Sequence, residues 1–251
     1  QNFRIASFNE ELLATNENLN KVNDERKDLM AIVSHDLQAP LNRAFGLIQL
    51  FKLDEKNLSP SGLDLLKKLL NELEQQKALI TDILRSENLE LEYENDEKSI
   101  IDLSIVLPEI LSGFYEVATK KGINLVDNTK ETKAHIFGSR IGFQRIIDNL
   151  VSNAIKFSDA GTVVEIKVTC TEAVEINVKD QGQGFSESDF KNLFKKFHKL
   201  SSRPTAGEVS TGLGLAIVKT LVEKMDGKIT LISEKGKGSE FILTFPKISA
   251  G

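Results

Sequence analysis

From residue 8 to about residue 53, apolar side chains recur at alternating steps of four and three, and Pro40 and Gly46 are the only proline and glycine in the stretch. Phe8, Leu12, Leu19, Val22, Leu29 and Val33 share one heptad seam, with Thr15 and Arg26 as its weak positions. A seam this narrow predicts a helix that seeks a partner helix, as in a coiled coil, over one packed only on its own domain. The pattern breaks over residues 54–58. Ser59 then has the chemistry of an N-cap and Pro60 that of a first helical position. They open a second helix with Leu63, Leu66, Leu70, Leu73, Ile80 and Leu84 on one side. Two antiparallel helices make a hairpin that cannot bury both apolar faces alone, and a homodimeric four-helix bundle is the simplest solution.

After an acidic, polar joint at residues 90–98 the texture changes to short alternating or apolar runs at 100–106, 123–126, 163–169, 174–178, 228–232 and 240–245. These read as strands, and helical periods lie between them at 108 to about 121, 140–157 and 214–225. Strands and helices alternate without a strict β-α-β rhythm, so the expected fold is multidomain: a helical hairpin, then an α+β sandwich with helices on one face of a mixed sheet.

The chain has 251 residues, 40% hydrophobic and 27% charged, enough to bury a core in one large or two modest domains. Its net charge of -5 argues against bulk nucleic-acid binding. The charge is uneven: residues 1–95 carry 11 basic and 17 acidic side chains, whereas 96–251 carry 21 and 20, consistent with two differently built halves. One cysteine, Cys170, cannot form an internal disulfide, and no Cys/His cluster has zinc spacing, so a reducing compartment is expected. No run of about 18 apolar residues and no signal-peptide pattern is present. Beginning at Gln1, the chain is compatible with being part of something longer that carries an upstream sensor. No receiver domain is expected after Pro246.

Four short segments and one basic stretch carry candidate chemistry. In Ser34-His35-Asp36-Leu37-Gln38-Ala39-Pro40-Leu41, His35 lies two residues beyond the seam position Val33 and is expected to face away from the partner helix. An imidazole beside a carboxylate can serve as a nucleophile, with Asp36 raising its nucleophilicity; a plain surface histidine is the alternative. Pro40 removes the amide that would bond the carbonyl of Asp36 and should kink the helix. In residues 148–157, Asn149, Asn153 and Lys156 stack on one helix face while Leu150, Ala154 and Phe157 point inward. Asn153 offers a hard oxygen suited to Mg²⁺ and Lys156 a charge suited to phosphate; a solvated polar face is the alternative.

Asp180-Gln181-Gly182-Gln183-Gly184 follows a strand, and a strand-terminal carboxylate with two glycines lets a planar ligand lie against bare backbone. Otherwise it is a glycine turn. Ser210-Thr211-Gly212-Leu213-Gly214 runs straight into a helix, whose free amides suit phosphate, but without the lysine and spacing of a P-loop. Between the two glycine segments lie Lys191, Phe194, Lys195, Lys196, Phe197, Lys199 and Arg203, then a small-residue stretch at 205–210. That composition fits a lid over a triphosphate or a basic surface loop.

Taken in order, these segments resemble a sensor histidine kinase of two-component signalling from about Leu29 to Pro246. SHDLQAPL is similar to the family's phosphoacceptor segment, DNLVSNAIKF to its Mg²⁺-binding helix, DQGQGF and STGLGLAIV to its nucleotide-binding glycine segments, and LFKKF to its phenylalanine motif. The resemblance implies a signalling helix at 1–28, a dimerisation and histidine phosphotransfer hairpin at 29–95, and a Bergerat-type ATP-binding domain at 96–251. It implies that His35 takes the γ-phosphoryl group with Asp36 as base, and that Asn153 holds Mg²⁺ with Asn149 lining the same site. Lys156 would meet phosphate, Phe157 would belong to the nucleotide-binding set, and Asp180 would read the adenine amine. Gly182, Gly184, Gly212 and Gly214 would shape the pocket and lid. The implied partners are a second copy, a response-regulator receiver domain and an upstream sensor domain. The implied location is cytoplasmic, free or as part of a membrane-bound receptor.

Two positions depart from the family pattern. Lys199 stands where many relatives carry an arginine, keeping the charge without the planar fork. Ala39 stands where many carry Thr or Asn to position water for dephosphorylating the partner. Gyrase-, chaperone- and mismatch-repair-type ATPases place a glutamate, a base for water, where this chain has Asn149, and an amide cannot take that proton at neutral pH. Phosphotransfer to His35 is therefore expected in preference to hydrolysis, or to a dimeric scaffold with a degenerate pocket.

Overall fold

A computed structural model of the chain describes residues 12, 15, 22, 40–48, 50, 59–129, 132–195, 198, 200–206, 208, 210 and 212–248. The chain divides into two compact units, 1–88 and 89–251.

In the first unit, residues 40–48 are helical, and Leu41, Ala44, Phe45 and Ile48 are half-buried at the spacing of one helix face. Helix α1 follows at Pro60–Asn95, and its residues to Asn88 belong to this unit. Ser59 caps it as expected: its Oγ accepts from the amide of Gly62 at 3.2 Å and its carbonyl from the amide of Leu63 at 3.0 Å. Leu63, Leu66, Leu70, Leu73 and Ile80 form its half-buried side. Lys77 lies 5.7 Å from the ring centre of Phe45, so the two helices meet side by side. Leu47, Leu50, Leu65 and Leu69 remain more than half exposed, as do the seam residues Leu12 and Val22. The helix continues to Asn95 through most of the segment expected as a polar joint.

The second unit contains β1 (Ser99–Asp102), α2 (Leu103–Ser112), α3 (Tyr115–Lys121), β2 (Asn124–Asn128), β3 (His135–Gly138) and α4 (Arg140–Phe157). β4 (Val163–Cys170), β5 (Ala173–Asp180), α5 (Glu187–Phe190), α6 (Gly214–Lys224), β6 (Lys228–Glu234) and β7 (Gly238–Pro246) complete it. β1 and β3 form a separate antiparallel pair, and the main sheet has the order β2-β4-β5-β7-β6 with only β2 and β4 parallel. Alternation sets its inner face: Val164, Ile166 and Val168 of β4, Val174, Ile176 and Val178 of β5, and Phe241, Leu243 and Phe245 of β7 are buried. The apolar stripe of α4, including Phe143, Ile146, Ile147, Leu150 and Val151, and that of α6, including Val218, Leu221 and Val222, join the same core. This is the expected sandwich of helices against a mixed sheet.

One expected strand is corrected. Residues 100–106 are not one strand, because Asp102 ends β1 and caps α2, accepting from the amide of Ser104 at 2.9 Å and its hydroxyl at 2.6 Å. The apolar run beyond it is helical and buries Leu103, Val106 and Leu107. Pro108 therefore lies inside a helix that ends at Gly113, and the single helix expected over 108–121 is two. No helix among the described residues is long and apolar enough to cross a membrane.

Candidate functional site

Asp180 is the last of the inward set on β5, two residues beyond Val178, so strand period alone carries a carboxylate onto the core face. It is 6% exposed. Oδ1 accepts from the amides of Gly182 at 2.8 Å and Ser239 at 3.2 Å, and Oδ2 from the hydroxyl of Ser239 at 2.5 Å. Burial pushes the carboxyl above its ordinary value, against the opposing pull of Ser239 and Gly182. A carboxylate has about four lone-pair sites, so three donors leave room for one more hydrogen bond at Oδ2. Gly182 is required by close approach: a Cβ there would stand 2.5 Å from the carbonyl oxygen of Phe157 and 3.0 Å from Asp180 Oδ1. The loop floor is therefore bare backbone.

Ser139 begins α4 by accepting the amide of Gly142 at 2.8 Å, and its own hydroxyl donates to Asp96. Because the stripe from Phe143 to Ile155 faces the sheet, Asn149, Asn153 and Lys156 fall on its half-buried margin. Asn149 donates Nδ2 to the carbonyl of Arg145 at 2.8 Å, which leaves Oδ1 as its acceptor. A Cβ on Gly214 would stand 2.8 Å from that oxygen and 3.7 Å from Asn153 Nδ2, so the start of α6 lies directly against the asparagine pair, and a side chain there would push the Asn149 amide aside. Asn153 makes no side-chain hydrogen bond to a described residue, and Leu213 caps α6 with no side-chain bond, leaving amides at that end. Phe157, expected in the core, is half-buried, because it ends the helix beside the Asp180 loop.

Gly184 and Gly212 have positive φ, 63° and 73°. The first glycine loop is braced by the β6–β7 turn, where the amide of Gly236 donates to the carbonyl of Gln183 at 2.7 Å. The following segment is strapped down in sequence order. Ser201 donates its amide to Asp189 Oδ1 at 2.9 Å, Ser202 its hydroxyl to the carbonyl of Gly184 at 2.6 Å, and Arg203 its amide to Gln183 Oε1 at 3.1 Å. Thr205 donates its amide to the carbonyl of Lys156 at 3.0 Å and its hydroxyl to that of Ser158 at 2.8 Å. Burial raises the Asp189 carboxyl, but the donors from Ser186 and Ser201 outweigh it and hold it well below its ordinary value. Lys219 sits 5.4 Å from the ring centre of Phe194.

Asn149, Asn153, Phe157, Asp180, Gly182 and Gly214 are thus linked by direct approach between α4, the loop after β5 and the start of α6. The residues fit a nucleoside triphosphate: a buried acceptor for a base amine, a glycine floor that a Cβ would fill, and open helix amides beside two asparagines. Among the described residues, no three His, Cys, Asp or Glu gather as a metal cage. Hard amide oxygens are donors suited to an ion held mainly by phosphate. His35, Asp36, Ala39 and Lys199 lie outside the described residues. Sequence reasoning missed Ser239, whose only signal is its place after Gly236-Lys237-Gly238 at the start of a strand.

Comparison with known proteins identifies the two domains. Residues 25–92 match the family model of the His Kinase A (phospho-acceptor) domain, and residues 138–249 match that of the histidine kinase-, DNA gyrase B- and HSP90-like ATPases. The autoinducer 2 sensor kinase/phosphatase LuxQ of Vibrio vulnificus is 32% identical over 231 residues, covering 88% of this chain and 26% of LuxQ. The sensor histidine kinase RcsC of Salmonella typhi is 32% identical over 224 residues, covering 88% and 23%. The chain thus spans about a quarter of the length of these curated relatives. Among solved structures, full-length ShkA in complex with AMPPNP has the same fold, with TM-score 0.66 and 24% identity over 89% of this chain and 46% of ShkA. The catalytic domain of histidine kinase ThkA superimposes with TM-score 0.52 and 25% identity over 60% of this chain and 96% of that domain. With a phosphoacceptor domain followed by an ATPase domain in one chain, the protein belongs to the sensor histidine kinases.

Proposed function

We propose that this chain transfers the γ-phosphoryl group of ATP to His35 and then to an aspartate of a response-regulator receiver domain. The observation that carries the reading is the Asp180 loop set against the two-asparagine helix, in a chain that also carries a phosphoacceptor segment. Asp180 accepts the exocyclic amine of adenine at its remaining lone pair. Asn153 would hold Mg²⁺ with its amide oxygen, Asn149 would line the same site and Lys156 would meet phosphate. The ion, when bound, supplies charge that neutralises phosphate oxygens. Gly214 keeps the start of α6 close to both asparagines, and Lys199 brings a further positive charge from the lid. Asp36 takes the proton from His35 during attack. Asn149 offers no base for water, which favours transfer over hydrolysis.

The proposed division is a signalling helix at 1–28, the phosphotransfer hairpin at 29–95 and the ATP-binding domain at 96–251. Exposed Leu47, Leu50, Leu65 and Leu69 supply apolar surface for a second copy, supporting a homodimer built as a four-helix bundle. An upstream sensor would act through the signalling helix, and the location that suits this chemistry is the cytoplasm. The test is incubation with γ-labelled ATP and Mg²⁺. Acid-labile, base-stable label that moves to a receiver domain supports the reading, and release of phosphate without protein label contradicts it.

A further inference from the structure

Lys121, the last residue of α3, ties together three places that no motif connects. Its Nζ donates to the carbonyls of Ile155 and Lys156 at 2.9 Å each and to Glu208 Oε1 at 2.6 Å. An ammonium group has three donors, and all three are used. The side chain is 13% exposed and that of Glu208 27%, so the pair is partly shielded from water. Gly122 turns left-handed at φ 73° and ends α3 there, while the amide of Gly161 bonds its carbonyl at 2.8 Å, fixing Lys121 beside the end of α4. The two carbonyls belong to the last turn of α4, where intrahelical donors run out and a cation is favoured.

Glu208 belongs to the segment between the two glycine loops. Its second oxygen accepts the amide of Ala206 at 2.9 Å, and Thr205 bonds the same carbonyl of Lys156 that Lys121 holds. Thr205, Ala206 and Glu208 are therefore fastened to the end of the helix that carries Asn149, Asn153 and Lys156. Without that fastening, the segment would have to be ordered when nucleotide arrives, and the entropy would be lost from binding.

We propose that Lys121 is a positioning residue for nucleotide: through Glu208 it holds the lid segment on the end of α4, so that the triphosphate meets a site already ordered. The inference rests on the ATP-binding reading above. It places the effect in nucleotide affinity and not in the rate of transfer at saturation.

The test measures the dissociation constant of ATP with Mg²⁺, and the saturating autophosphorylation rate, for the full chain and for Lys121→Met, Glu208→Ala, the double variant and Lys121→Arg. Expected are about a tenfold weaker affinity for Lys121→Met, about fivefold for Glu208→Ala, and a double variant no worse than Lys121→Met within about twofold. Lys121→Arg should return most of the affinity, and saturating rates should stay within about twofold of the parent. Affinities of both single variants within about twofold of the parent, or losses that simply multiply in the double variant, would overturn the proposal. Should Lys121→Met fail to fold, Glu208→Ala, on a loop, decides by the same criterion. A parent chain that binds no ATP overturns the ATP-binding reading together with this one, and that result appears before any variant is made.

Discussion

Ser239 donates its hydroxyl to Asp180 Oδ2 and its amide to Oδ1 because the β5–β7 register sets the two residues directly opposite. With Gly182 as the third donor, the carboxylate is held in one orientation and can act toward a ligand only by accepting. Asp180→Asn puts an amide donor among these donors and should weaken ATP binding by about 100-fold, with Ser239→Ala costing about fivefold. GTP, which lacks an amine at the matching ring position, should bind far more weakly than ATP. Calorimetric titration of the parent with ATP and with GTP, and of each variant with ATP, checks this.

The same pair has a pH consequence. Burial raises the Asp180 carboxyl above the ordinary value of 3.8, so the acceptor is lost at a higher pH than for an exposed aspartate. ATP affinity should therefore fall on acidification before ordinary carboxylates titrate. The sign for folding is opposite: a raised value favours the protonated form in the native state, so Asp180 alone adds stability to the nucleotide-free protein as pH falls. Affinity and melting temperature measured on one pH series should thus diverge for the parent, and the divergence should vanish in Asp180→Asn.

Asp189 behaves in the reverse way. Its folded value lies below 3.8, held down by Ser186 and Ser201, so its contribution is complete at neutral pH and is lost as pH falls below 3.8 toward the folded value. Asp189→Ala should cost about 2 kcal/mol at neutral pH and progressively less in acid, read from urea unfolding midpoints.

Much of this site was legible in the chain because its key positions lie on regular periods. Asp180 continues the inward set Val174, Ile176 and Val178, and the asparagines sit one turn apart beside the apolar stripe of α4. What escaped depends on pairing across the sheet or over long loops. Ser239 meets Asp180 from 59 positions away, and Glu208 meets Lys121 from 87, separations at which no local pattern carries information. The misread strand at 100–106 has a different cause: Ile100, Ile101, Ile105 and Val106 suit a strand, but the Asp102 cap starts a helix whose face the core then buries.

Gly182 offers a steric test of the pocket floor. Gly182→Ala would drive a methyl group against the Phe157 carbonyl, which is backbone and cannot step aside as a side chain would. Stability should drop by about 1–3 kcal/mol and ATP affinity by about tenfold or more. Gly46→Ala, on an exposed helical position with no atom within 4 Å of the added carbon, should leave affinity unchanged. Parallel unfolding and binding curves for the two variants separate a pocket effect from a general one.

The central claim is that phosphate from ATP comes to rest on His35. The direct measurement is peptide mapping of the acid-labile, base-stable label after incubation with γ-labelled ATP and Mg²⁺, for the parent and for His35→Gln. The expected result is label confined to the peptide containing His35 and absent from His35→Gln, with ATP affinity of the variant within about twofold of the parent. Label on His135 or His198, or undiminished label in His35→Gln, would contradict it.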